Sequence, residues 1–360
     1  MWAMVVKEFR QLRRDHRTLA LMVVLPVVLL IVFGYAARFD VDSIPTRVYG
    51  PGADQVQRLL QPPFDVDRVD TGGTRADAEA ALRDGDVPVA VVTTDDGATL
   101  LLDGSELFTA NAARAALAQE RASAGGPARP VDLQVDVLFN PDLSTSVVMV
   151  PALAGLILLF VGTVITSLGV VRERQAGTLE QLAVMPLRPR DVFLGKIAPY
   201  FLVATIDLAI VLTVGILLFD VPFRGSFPLL ALGALLFLFV TLGIGVLIST
   251  VSQNQGQAIQ LALMTLLPQV LLSGLIFPLD SMAASVRWIS YLLPLTYFTQ
   301  ISRGIMVRGA GIDALWPPFL FLAVLGAVIV LLATARFRRD LAPAPARHHA
   351  GPAESAEVAA

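Results

Sequence analysis

From residue 225 to residue 279 the chain runs for 55 residues without one Asp, Glu, Lys or Arg. A soluble domain has to cover its surface with polar groups, and about a quarter of its residues are charged. Here 16% are charged and 55% are hydrophobic, so the main solvent for this chain is lipid. A helix needs about 20 apolar residues to cross the hydrocarbon core, and the sequence supplies that length repeatedly. Residues 18–37 give 20 uncharged positions and residues 143–171 give 29. Residues 197–219 give 23, interrupted only by Asp207, and residues 314–335 give 22. The run of 55 is long enough for two spans and divides at the polar knot Ser252-Gln253-Asn254-Gln255-Gly256-Gln257. The expected fold is an α-helical polytopic membrane protein with six transmembrane helices.

Orientation follows from Lys and Arg in the short flanks. With the N-terminus inside, the cytoplasmic flanks hold 13 such residues and the short outer segments hold four: Arg224, Arg287, Arg303 and Arg308. Both termini are therefore expected in the cytoplasm. Residues 1–17 place Trp2, Val5, Phe9 and Leu12 on one helical face and Lys7, Arg10, Arg14 and Arg17 on the others. That pattern predicts an interfacial amphipathic helix on the inner leaflet, its cations drawn to membrane lipid. The apolar run at 18–37 exceeds the core of a signal peptide, so it reads as a retained anchor. Residues 336–360 are poor in apolar side chains and read as a disordered cytoplasmic tail.

The segment 38–146 differs in kind. It holds 18 acids and nine arginines in 109 residues. Strand-like stretches at 46–49, 64–69, 87–93, 99–102 and 133–139 alternate with helix-like ones, the clearest at 77–83 and 107–121. This reads as a mixed α/β extracytoplasmic domain set between the first span and a five-helix transmembrane domain, 147–335.

Several chemistries are excluded. The chain has no cysteine, hence no disulfide, thiolate metal site or cysteine nucleophile. Its three histidines are His16, His348 and His349, so a histidine metal site is not expected. A net charge of −3 gives no support for nucleic-acid binding. There is no phosphate loop of the form G-x-x-x-x-G-K-[ST]; Gly195-Lys196 is followed by Ile. Without such a loop to cradle phosphates the chain is expected neither to bind ATP nor to act as an enzyme.

Two sets of residues remain as candidates. The densest inner charge cluster opens the segment 172–194. There Arg172, Glu173, Arg174, Gly177, Thr178, Leu179, Glu180 and Leu182 combine charge, a breaker and two apolar anchors. Residues 178–182 read as a short amphipathic helix able to seat in a groove of a cytoplasmic partner. The bland alternative is a solvated inner loop that satisfies charge topology. The second set is intramembrane: Asp207, Gln260 and Gln269. A charge in a span is expensive and points to a translocation path, whereas glutamines there more often bond neighbouring helices.

Arg172-Glu173-Arg174, Gly177-Thr178, Glu180-Gln181-Leu182, Pro186 and Gly195-Lys196-Ile197-Ala198-Pro199-Tyr200 resemble the ABC-2 family of bacterial ABC-exporter permeases. A second block is similar to the same family: Ser273-Gly274-Leu275-Ile276-Phe277-Pro278, Met282, Pro294-Leu295-Thr296-Tyr297 and Arg303-Gly304 to Gly309. The resemblance implies a permease of the bacterial inner membrane that pairs with a second permease copy and docks onto two cytoplasmic ATPase subunits. ATP and Mg would be bound by those subunits, and this chain would carry no cofactor. The segment from Arg172 to Glu180 would transmit nucleotide-driven closure, and residues 280–309 would form short re-entrant or interfacial helices on the outer side. The expected cargo is amphipathic, drug-like or lipid-like. Alternatives are an ion-coupled transporter with Asp207 as its proton site, and a membrane-anchored receptor or structural protein whose outer domain is the active part.

Overall fold

The computed structural model describes residues 43–94, 97–123, 133–177 and 189–340. The expected interfacial helix 1–17 and first span 18–37 lie outside these residues, as do Thr178, Leu179, Glu180 and Leu182.

The N-terminal part is a five-stranded sheet of order β2-β1-β3-β4-β5. Its elements are β1 (Ile44–Tyr49), α1 (Ala53–Leu59), β2 (Phe64–Asp70), α2 (Arg75–Asp84), β3 (Val89–Thr94), β4 (Gly97–Asp103), α3 (Leu107–Ser123) and β5 (Leu133–Leu138). β1 pairs parallel with β2 and β3, β3 antiparallel with β4, and β4 parallel with β5. Alternation of side chains splits β3 and β4 between two cores. Val89, Val91, Leu100 and Leu102 pack with α1 and α3, while Ala90, Val92 and Leu101 pack with α2. The result is a three-layer α/β/α unit. Thr74 and Asp77 close a capping box at the start of α2, and the bonds from Thr74 hold the Asp77 carboxyl below the ordinary carboxylate value.

The second part is helical. A single long helix comprises α4 (Thr145–Phe160), one π turn π1 (Val161–Ile165) and α5 (Thr166–Gln175). It is followed by α6 (Pro189–Phe219), α7 (Phe227–Val251) and α8 (Gln255–Leu272). A short 3-10 turn (Leu279–Ser281), α9 (Ala284–Ser290), α10 (Pro294–Arg303), a second π turn π2 (Gly304–Arg308) and α11 (Ile312–Asp340) complete it. Among the described residues, four helices are long and apolar enough to cross a membrane: Thr145–Gln175, Ala198–Phe219, Phe227–Val251 and Ile312–Arg336. α8 is 18 residues long with three glutamines before Leu261, and it is not one of the four. α7 forms the mast of the bundle. It touches every other long helix, and 61% of its apolar window is buried, against 17% in α6.

Two expected boundaries are corrected. Helix continues past the apolar run through Gln175 and resumes at Pro189. Arg172, Glu173 and Arg174 are thus the last helical turn of α5 rather than part of a loop 172–194, because the backbone bonds of a helix outlast its lipid-facing stretch. Likewise α11 runs to Asp340, so the tail expected from 336 begins as helix. Basic residues there suit the negative end of the helix dipole.

The two parts are tied together at Asn140 and at Arg224, among other contacts. Asn140, 4% exposed, donates from Nδ2 to the carbonyls of Gly104 and Ser144, and its Oδ1 accepts from the Ser144 N–H. This fixes the angle at which α4 leaves β5. Arg224, an exposed residue between α6 and α7, is held within the helical part by its bond to Val307 O and reaches across to stand 5.9 Å from the Phe139 ring centroid.

Candidate functional site

The last turn of α5 meets the turn between α7 and α8. Val170 and Val171 are buried, Arg172 is exposed, and Glu173 and Arg174 are half-buried. The last four carbonyls of a helix have no partner within it. Arg174 supplies one, donating from Nη1 to the carbonyls of Ser249 (2.7 Å) and Ser252 (3.0 Å) at the end of α7. Gln175 Oε1 accepts from Gln255 Nε2 at 3.1 Å. On the other side of the turn, Asn254 Oδ1 caps Gln257 N and Gln257 Oε1 caps Gln253 N, both at 2.9 Å. The polar knot that divides the long apolar run is therefore a pair of helix caps gripped by α5. Gly177 follows with φ +73° and nothing within 4 Å of where a Cβ would stand. It is a left-handed C-terminal residue whose need for glycine is purely conformational.

The intramembrane residues are scattered. Gln269, 1% exposed, accepts the Leu295 N–H at the start of α10 with its Oε1, at 3.1 Å. That commits the amide oxygen to joining α8 and α10. Gln260 lies nine residues earlier on α8, roughly 14 Å along the axis, with a buried Oε1 that has no partner among the described residues. Asp207 is on α6, which packs on α4, α7 and α11 and scarcely touches α8. Its Oδ2 is buried and unbonded among the described residues. Neighbouring hydroxyls do not serve it, since Thr205 and Thr213 donate to the carbonyls of Phe201 and Ala209 in their own helix. The three residues do not form one site.

A further site was not foreseen from the sequence. A cavity of about 400 Å³ opens where the sheet domain meets the helices. Asp103 and Glu106 come from the sheet side; Ser273, Thr299, Arg303 and Arg308 come from the ends of α8, α10 and π2. Arg308 pairs with Asp103 at 3.5 Å, and their side chains are 11% and 1% exposed. Arg303 donates from Nη2 to Leu275 O at 3.2 Å. Burial opposes its charge and so does Arg308, while Glu106 and Asp103 favour it. The signal available in the sequence was two arginines five residues apart in a segment otherwise poor in charge, which the topology count treated as loop cations.

Residues 16–335 match the family described as ABC-2 family transporter protein. The chain belongs to the ABC-2 family. Among its relatives, the "Probable multidrug ABC transporter permease YbhS" of Escherichia coli K12 is 30% identical over 338 residues, covering 85% of this chain and 88% of that protein. The "Probable multidrug ABC transporter permease YbhR" of the same organism is 29% identical over 369 residues, covering 95% and 99%. The "Inner membrane transport permease YhhJ", also of Escherichia coli K12, is 36% identical over 220 residues, 59% and 57% of the two chains. This ABC-2 chain is thus the membrane-embedded component of an ABC transporter, a family that implies association with ABC ATPase subunits. The α5–α7–α8 clamp lies at the edge of the segment that the resemblance marks for that association.

Proposed function

We propose that this chain is the permease half of an ATP-driven exporter that moves an amphipathic, drug-like or lipid-like molecule outward. In this reading residues 18–37 and α8 join the four long apolar helices to make six spans. Both termini lie in the cytoplasm, the sheet domain lies on the outer side of a bacterial inner membrane, and a second permease copy completes the pathway. The names of YbhS and YbhR support a drug-like cargo.

The observation that carries the coupling role is Arg174. It bonds the end of α7, the most buried of the four long apolar helices. A push on residues 172–182 from a cytoplasmic ATPase would reach the mast directly rather than through a slack loop. Leu179 and Leu182 would fill an apolar cleft of that ATPase. Truncating a packed anchor typically costs at least about 2 kcal/mol of binding, whereas an exposed charge pair is worth about 0–1 kcal/mol. Leu182→Asp should therefore detach or uncouple the ATPase while Arg190→Gln leaves it in place. Co-purification of the two subunits together with transport tests this; retention of both by Leu182→Asp would defeat the coupling role.

The unbonded Oδ2 of Asp207 favours a second reading, transport coupled to a proton at that carboxyl. If ATP is the energy source, Asp207→Asn should slow transport only modestly. Total loss of transport with ATP hydrolysis intact would shift the weight to the ion-coupled reading.

A further inference from the structure

α6 is held closely at one end and sparsely at the other. Toward Phe219 it lies against α4, where a Cβ on Gly215 would stand 2.7 Å from Val150 Cγ1. It also packs on π1, yet it scarcely touches α5. Past π1 the two helices therefore stand apart, and their ends at Gln175 and Pro189 flank the segment between them.

A side chain spans that gap. Tyr200 of α6 leans on Gly169 of α5: a Cβ on Gly169 would collide with Tyr200 Oη and stand 2.9 Å from its Cζ. The neighbouring Phe201 turns to α7, its ring centroid 5.4 Å from that of Phe239. Both side chains pack on one apolar cluster, made of Val170 of α5, Leu242 and Val246 of α7 and Ala333 of α11.

A helix is stiff over a few turns, so a contact at Tyr200 governs what lies beyond it. Residue 190 is ten residues away, roughly 15 Å along the axis. A tilt of about 10° at Tyr200 swings that point by about 3 Å. On the other leg, Arg174 lies five residues past Gly169 and is bonded to the end of α7. One leg is thus fixed to the mast, and the other can follow it only where the two are joined.

We propose that Tyr200 is a positioning residue, a strut that joins α6 to α5 so that both legs of the segment move as one body. The inference deepens the coupling role given to residues 172–182 and rests on it. A push reaches α7 through Arg174 only if α6 does not splay and take up the displacement.

The chain contains no cysteine, so spin labels attach only where one is introduced. Ala176→Cys and Arg190→Cys label the two legs, and pulsed dipolar spectroscopy of the full chain in lipid nanodiscs reads their separation. The parent should give one narrow distance. Tyr200→Ala should shift or broaden it by about 3 Å, and Gly169→Ala should do the same by displacing the ring. Tyr200→Phe keeps the ring and should stay near the parent. Alanine favours a helix more than glycine does, so splayed legs with an undiminished melting temperature in Gly169→Ala separate a strut from a general loss of stability. Should Gly169→Ala prevent folding, the contrast of Tyr200→Ala with Tyr200→Phe decides. Trapping the complex with its ATPase subunits, ATP and vanadate tests the reading beneath. A second labelled pair, Ala176→Cys with Gly72→Cys in the sheet domain, should change its distance on trapping, while the first pair stays fixed in the parent and opens in Tyr200→Ala. A second pair that does not move would defeat the coupling role. Equal leg separations in the parent and Tyr200→Ala before trapping would overturn the strut.

Discussion

Arg174 shows how much one side chain can hold at a helix end. Its guanidinium covers two carbonyls that α7 cannot satisfy itself. Arg174→Met keeps the apolar stem and strands those acceptors, which should cost about 1–3 kcal/mol. Arg172→Gln, one turn face away and exposed, should stay within about 0.5 kcal/mol. Thermal unfolding of the purified chain reads both, and equal melting temperatures would refute the clamp. The sequence marked both arginines as important together and had no means of separating them. Charge and position are legible in a sequence; which cation finds a carbonyl 75 residues away is decided by how helices cross. Gly177 was the opposite case. The sequence marked it as a breaker ahead of residues 178–182, and the structure shows it just past the end of α5 as a left-handed residue with φ +73°.

At the level of elements, the helices were readable because lipid demands unbroken apolar runs. The five strands were readable because apolar residues there recur between turn residues. α1 was not read, since Ala53-Asp54-Gln55-Val56-Gln57-Arg58-Leu59 is short and mostly polar and owes its helical form to packing on β1, β2 and β3. π1 was also invisible, because Gly162 and Thr163 look like ordinary small residues of a span. Its role shows only where it crosses α7. A Cβ on Gly245 would stand 2.8 Å from Thr166 Cβ, 2.9 Å from Thr163 O and 3.1 Å from Gly162 O. Backbone atoms cannot swing aside, so Gly245→Ala should destabilise by about 1–3 kcal/mol through overpacking. Gly195→Ala should do the reverse. It lies in α6 with nothing within 4 Å, and replacing a helical glycine by alanine gains about 0.5–1 kcal/mol. Chemical unfolding of the two variants should give shifts of opposite sign; shifts of the same sign would show that the close approach of α5 and α7 is not tight.

For the whole molecule, the cation count of 13 against four fixes the expected orientation. Reporter fusions after Asp191 and in the tail should report cytoplasm, and one at the exposed Gly72 turn should report the outer side. An outside signal at Asp191 would remove the six-span arrangement. The cavity between the two parts belongs to this scale as well, which is why the sequence did not reveal it: its walls come from stretches that are remote along the chain and unremarkable when taken singly. The Arg308–Asp103 pair joins positions 205 residues apart. That spacing has a consequence for biogenesis. When the ribosome has released β5 every strand of the sheet exists, yet the partner that locks Asp103 to the helices is still untranslated. The sheet domain can therefore complete its own pairing and hold Asp103 in place while the later helices are still being made. Closing a loop of that size is a late event, because closure entropy grows with the logarithm of its length. A nascent chain arrested near residue 300 should carry a finished sheet joined to the bundle at Asn140 and at the Arg224–Phe139 contact, before the Arg308–Asp103 pair can form.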